Sequence, residues 1–254
     1  MSIFITILLF ILGACIGSFL HAWVIRLGKG ESISKGRSKC VFCKKELLAK
    51  ENIPLLSFLM LKGKCKYCKK KFSWSYFLTE LSVAFGFVFI AFFFQFDLTL
   101  LEFWRDLIIF LFLVFIFLYD FKYMEIYDES TLYPAIALFI FSLLFSWRAW
   151  DDMCLGLLIG GGFFLLQFAL SKGKWIGGGD IRLGVFMGVI LGWKLTIMAL
   201  LLSYVIGALF GIVLILMKKK DRASEVPFGT FLAVGTFITM FYGMNILNWY
   251  LGML

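Results

Sequence analysis

Residues 177–217 read GGGDIRLGVFMGVILGWKLTIMALLLSYVIGALFGIVLILM. Beyond Asp180 the stretch is almost wholly apolar, and it is too long for a single crossing, since a span needs about 20 apolar residues. Glycines at 184, 188 and 192 interrupt it. We read two spans, 181–192 and 195–217. The choice decides the topology, because the cluster Lys218-Lys219-Lys220 follows immediately. Two spans put this cluster on the same side as the other basic loops; one span would put it opposite.

Outward from there, further apolar runs lie at 3–25, 77–96, 104–119, 131–147, 153–171 and 228–250. The chain is 254 residues long, 62% hydrophobic, 19% aromatic and 16% charged. A soluble domain is nearer half apolar and a quarter charged. The fold class expected is therefore an all-α polytopic membrane protein of about eight transmembrane helices. The run Ile3–Ile25 has no basic start and no short cleavable core, so it reads as a retained span rather than a signal peptide. With the N-terminus outside, the inner loops are 26–76, 120–130, 172–182 and 218–227. They hold 22 of the 25 lysines and arginines; the outer turns carry Asp97, Glu102, Asp151 and Asp152. Basic residues collect on the cytoplasmic side of membrane proteins, so topology accounts for the net charge of +9 without a nucleic-acid partner.

Two acids stand out. Asp120 ends the run Leu111–Tyr119, and Asp180 follows Gly177-Gly178-Gly179. Ionisable groups in or beside a span are expensive and mark function by default. The topology sets both at the cytoplasmic end of their helices. Two adjoining carboxyls cannot both ionise easily, so they hold one proton between them and can activate water. Either acid alone reads better as a helix end, as do Asp128, Glu129 and Asp221 in their loops. The glycines before Asp180 permit unusual backbone angles and the close approach of a substrate strand. Gly160-Gly161-Gly162 and the pair Gly207 and Gly211 read as close helix contacts.

The loop 27–76 carries Cys40-x-x-Cys43 and Cys65-x-x-Cys68, with 21 residues between the pairs. Two such knuckles can wrap one zinc ion in four thiolates. Disulfides are the alternative, and a cytosolic loop disfavours them. A closed four-thiolate site stabilises a loop and catalyses nothing. The surrounding lysines offset its charge and hold the loop against anionic lipid headgroups. A DNA-binding ribbon is disfavoured so close to the bilayer. Cys15 and Cys154 lie in apolar runs and read as packing residues. The single histidine, His21, reads as satisfying a hydrogen bond inside the bundle; no Ser–His–Asp set and no phosphate-binding loop can be assembled.

In this order these motifs resemble the type IV prepilin peptidases, membrane aspartyl proteases of the GxGD type. The resemblance runs through Gly17-Ser18-Phe19-Leu20, the paired cysteines, Glu51-Asn52-Ile53-Pro54, Gly63-Lys64-Cys65, Tyr76 and Glu80. It continues through Tyr119-Asp120, Ile126-Tyr127-Asp128, Gly177-x-Gly179-Asp180 and Pro227-Phe228-Gly229. His21 stands where the family often has Asn, and Phe77 and Tyr127 where it has proline. The resemblance implies Asp120 and Asp180 as the catalytic pair, with Gly177, Gly179 and Asp128 as support for the active site and substrate. It implies removal of the basic leader from prepilins or pseudopilins at the cytoplasmic face of a bacterial inner membrane. It also implies methylation of the new N-terminus with S-adenosylmethionine. The expected division is a first transmembrane helix, 1–26, a zinc-ribbon-like cytoplasmic loop, 27–76, and a membrane-embedded protease core, 77–254. A presenilin-like protease would lack the cysteine loop and expects Pro-Ala-Leu where this chain has Pro227-Phe228-Gly229. A proton-coupled transporter predicts repeated halves and acids nearer mid-membrane. A zinc sensor predicts a labile site.

Overall fold

The computed structural model describes residues 2–33, 38–217 and 226–253; the Lys218–Lys220 cluster and Asp221 lie outside them. Among the described residues the structure is helical, with only isolated bridges at Lys39–Glu46 and Lys64–Lys71. In chain order come α1 (Ser2–Leu27), a short α2 (Leu56–Met60), α3 (Trp74–Phe93), α4 (Leu101–Tyr123), α5 (Leu132–Phe145), α6 (Trp150–Ser171), α7 (Gly178–Leu216) and α8 (Phe228–Leu251). Six of these, or segments containing them, are long and apolar enough to cross a membrane, and the chain is a multi-pass membrane protein. α4 is not among the six. Glu102, Arg105 and Asp106 near its start, and Asp120 and Lys122 near its end, bracket an apolar middle. The four-cysteine cluster lies between α1 and α3.

The chain forms two compact units, Met1–Leu111 and Phe112–Leu254. In the first, α1 and α3 pack antiparallel. A Cβ at Gly13 would lie 2.8 Å from the Ala84 Cα, and one at Gly17 would lie 3.0 Å from the Glu80 Cα. Between apolar helices in lipid, close backbone approach and van der Waals packing supply much of the association energy. Val83, Ala84, Phe87, Ile90 and Ala91 of α3 are accordingly fully buried. A Leu at position 13 would push the helices apart. His21 meets the Thr79 hydroxyl at 3.0 Å through Nδ1 and packs against the tilted ring of Tyr76, so it does satisfy a hydrogen bond inside the helix pair.

In the second unit α7 is not one rod. Gly192 adopts φ 69°, ψ 176°, a conformation nearly restricted to glycine, and the chain reverses there. Gly160 of α6 lies against both Gly184 and Thr196, which a straight helix would separate by about 18 Å. The arm 178–191 runs antiparallel to α6, with Gly156 against Gly188 and Gly160 against Gly184. The arm 193–216 packs on α8, with Gly207 against Phe231 and Ser203 against Gly235. Asp152 holds the turn: its Oδ1 accepts from the Trp193 N–H (3.2 Å) and its Oδ2 from Arg148 (2.8 Å). A carboxylate there complements the positive end of the second arm. The two spans read from the sequence are these arms. Of the glycines read as helix contacts, Gly160, Gly161 and Gly207 meet neighbours within 4 Å, whereas Gly162 and Gly211 meet none.

Candidate active site and cysteine cluster

Three helix ends of the second unit converge on the acids. α4 delivers Asp120 (4% exposed) one turn before its C-terminus. The first arm of α7 delivers Asp180 (8% exposed) in its first turn. α8 begins after Pro227 and presents Thr230. Gly179, next to Asp180, and Gly229, beside the Asp120 carboxyl, both lie against Ile126. Asp120 Oδ2 accepts from the Thr230 N–H at 2.7 Å and from the Thr230 hydroxyl at 3.0 Å. Asp180 Oδ2 accepts from the Gly177 N–H at 3.1 Å, which satisfies one donor left open at the helix start.

Of the three glycines before Asp180, Gly179 works through space and none through backbone angle. Gly177 is ordinarily extended, at φ −79° and ψ 157°, and none of Gly177–Gly179 has positive φ. A Cβ on Gly179 would instead lie 2.7 Å from Cβ of Ile126, and one on Gly229 would lie 3.0 Å from Ile126 Cδ1 and 3.1 Å from Asp120 Oδ2. Ile126 thus sits in a notch that two bare backbones leave for it, beside the acids. Asp128 opens a 3-10 turn and is paired with Arg182, which ties this loop to the N-terminal part of α7. Tyr204, from the second arm, exchanges hydrogen bonds with Gln167.

Sequence reasoning missed Thr230. Its signal was a hydroxyl residue at the opening of the last apolar run, after Pro227-Phe228-Gly229. It also missed a buried acid in the first unit, Asp106 (5% exposed), which pairs with its neighbour Arg105 at 2.7 Å.

In the first unit the four Cys Sγ atoms lie within 4.8 Å of one another, and all four are free thiols. Cys40 and Cys68 are 3.9 Å apart, Cys43 and Cys65 4.0 Å. Tetrahedral zinc with 2.3 Å bonds sets sulfurs about 3.8 Å apart, so the donor set fits that ion. The knuckles repeat one design: Cys40 N–H donates to Lys45 and Cys65 N–H to Lys70, and Lys44 and Lys69 turn the chain at φ 60° and 58°. Burial raises the Cys40 thiol to about 11. At Cys65 burial acts in the same direction but is outweighed by N–H groups of Cys68 and Tyr67 and by neighbouring thiols, which bring it to about 7.

Residues 107–212, which carry both acids, match the model described as the type IV leader peptidase family. Residues 11–94, which carry the cysteine cluster, match the bacterial peptidase A24 N-terminal domain. A prepilin leader peptidase/N-methyltransferase of Bacillus subtilis (strain 168) is 32% identical over 97% of this chain and 98% of its own length. The chain belongs to the type IV leader peptidase family. Proteins of the same description from Aeromonas salmonicida (strain A449) and Legionella pneumophila are 35% and 32% identical over 85% of this chain, covering 74% and 76% of theirs. No solved structure matches the chain. The leader peptidase match ends before α8, so Thr230 lies beyond it.

Proposed function

We propose that this chain is a membrane aspartic endopeptidase that removes the basic leader of prepilins or pseudopilins, with Asp120 and Asp180 as its catalytic pair. The observation that carries the reading is the placement of these two buried acids, 60 residues apart in sequence, on either side of Ile126 at one end of the second unit. Asp120, whose Oδ2 already receives two hydrogen bonds, serves as the ionised member and takes the proton from water. Donors to a carboxylate favour its charged form. Asp180 carries the shared proton, hydrogen-bonds the scissile carbonyl and then helps protonate the departing amine. Ile126, Gly179 and Asp128 fix the loop that borders this pair.

The site works at the cytoplasmic face of an inner membrane, where 22 of 25 basic residues are expected. The apolar segment of the substrate stays in lipid and its charged leader stays in water. Residues 1–26 serve as the first span, 27–76 as the loop stapled by zinc through Cys40, Cys43, Cys65 and Cys68, and 77–254 as the core. The relatives are named N-methyltransferases as well, and the second activity proposed for this chain is methylation of the new N-terminus with S-adenosylmethionine as donor. Asp120→Asn and Asp180→Asn should each lower leader removal from a model prepilin by at least about 10²-fold, with membrane insertion intact. Cleavage near the wild-type rate by either variant would end this assignment. Labelled methyl transfer to a processed pilin tests the second activity.

A further inference from the structure

The second unit holds an apolar cleft of about 400 Å³, a volume within the range for ligand sites. Phe117 and Phe121 of α4 form one wall, Ile206 and Phe210 of the second arm of α7 another, and Phe231 and Val234 of α8 a third. Aromatic pairs brace these walls: Phe117 stacks on Phe121 at 6.1 Å, and Phe210 meets Phe231 at 5.3 Å. Other helices of this unit close on one another through bare backbone, as at Gly156 against Gly188. α4 has no glycine between Leu101 and Tyr123, so bulky side chains space it from the second arm. From Ile206 to Leu214 the cleft follows that arm for about 12 Å, the reach of about three or four residues of extended chain.

The cleft is continuous with the candidate active site. Thr230 is its one polar lining side chain, and the Thr230 N–H and hydroxyl both donate to Asp120 Oδ2. One residue thus lines the cleft and holds the acid. Two parts of a prepilin flank the bond to be cut: a basic leader and an apolar segment. A lysine or arginine in the cleft would lose its hydration and find no carboxylate among the lining residues, which is costly. Apolar side chains gain by the same burial.

We propose that this cleft is the subsite for the first three or four residues after the scissile bond, the start of the substrate's apolar segment. The assignment rests on the leader-removal reading above and gives that site a direction. With the apolar residues in the cleft, the bond that precedes them is presented to Asp120 and the charged leader lies outside the cleft. The same walls set specificity: large apolar side chains at these positions are preferred to small or charged ones.

The test compares model prepilins cut by the full chain in detergent. Two substrates differ only in the first two residues after the cut, both leucine in one and both alanine in the other. For the wild type, kcat/KM should be at least about tenfold higher with leucine. Ile206→Trp, which fills the cleft, should bring this ratio close to one. Val234→Ala, which enlarges it, should shift preference towards a third substrate with tryptophan at these positions. A general loss of packing would slow all substrates alike and leave the ratios unchanged. A photoreactive side chain at the first position after the cut should crosslink to 206–214 or 226–234, and one within the leader should not. A wild-type ratio near one, ratios that stay at the wild-type value in both variants, or crosslinks from the leader into these segments overturn the subsite even where leader removal proceeds normally. A lipid acyl chain as the true occupant would give unchanged ratios, because it would not distinguish the substrates. If the wild type cuts none of the three substrates, the leader-removal reading falls with the subsite.

Discussion

Removing the hydroxyl of Thr230 probes the candidate site without touching either acid. Thr230 is 4% exposed, and its side chain and its own N–H converge on one oxygen of Asp120 at 3.0 and 2.7 Å. Thr230→Val keeps the shape and the backbone donor and deletes one of the two bonds. A hydrogen bond to a charged group contributes about 1.5–3 kcal/mol. At 1.36 kcal/mol per factor of ten, kcat/KM for leader removal should fall roughly 10- to 150-fold. Thr230 acts through Asp120, so the loss should fall on kcat, with KM nearly constant. Thr230→Ser restores the donor and should recover most of the rate. The assay is a gel-shift time course on a model prepilin over a range of substrate concentrations. A Val variant within twofold of wild type would refute the role given to this bond. So would a Ser variant as slow as Val, which would point to the lost methyl contact instead.

Gly179→Ala should slow cleavage by crowding Ile126, and Ile126→Ala in the same chain should restore it; rates that simply multiply would show no coupling between the two positions. Gly192→Ala should lower the unfolding midpoint in detergent, because its φ of 69° costs a side-chain-bearing residue about 1–3 kcal/mol; an unshifted midpoint counts against the reversal at this residue. Cys40→Ser should abolish bound zinc by elemental analysis. In the wild type, zinc must displace protons from thiols such as Cys40, which burial raises to about 11, so apparent affinity should fall as pH is lowered. A chelator titration giving equal affinity at pH 6 and pH 8 would contradict thiolate ligation.

The helices were legible because hydropathy reports them directly. The apolar runs at 3–25, 153–171 and 228–250 differ from α1, α6 and α8 by at most three residues at either end, and the break near Gly192 was visible as glycines and as the need to keep Lys218–Lys220 with the other basic loops. The cysteine cluster was legible from spacing because each knuckle is a local turn. Partnerships across long stretches of chain were not. Nothing near Asp120 announces that its donor lies 110 residues later, and Glu80 gives no local hint of the Leu55 N–H that donates to it. The glycines were legible only in part. Composition marks them as small, but which of them faces a neighbour depends on helix rotation, so Gly160 is crowded while Gly162 is open. Gly179 was noticed for flexibility, whereas its use is to leave room for Ile126.

The reversal at Gly192 has a consequence for the lipid around this chain. The arm 178–191 rises only about 21 Å, against about 36 Å for 193–216 and a hydrocarbon thickness near 30 Å. If Gly192 reaches the far surface, Asp180 stops several ångströms short of the near one, so water and the bond to be cut must descend to it through a local thinning of the leaflet. Reconstitution into bilayers of increasing acyl length should then slow cleavage progressively, making the host membrane itself a determinant of turnover.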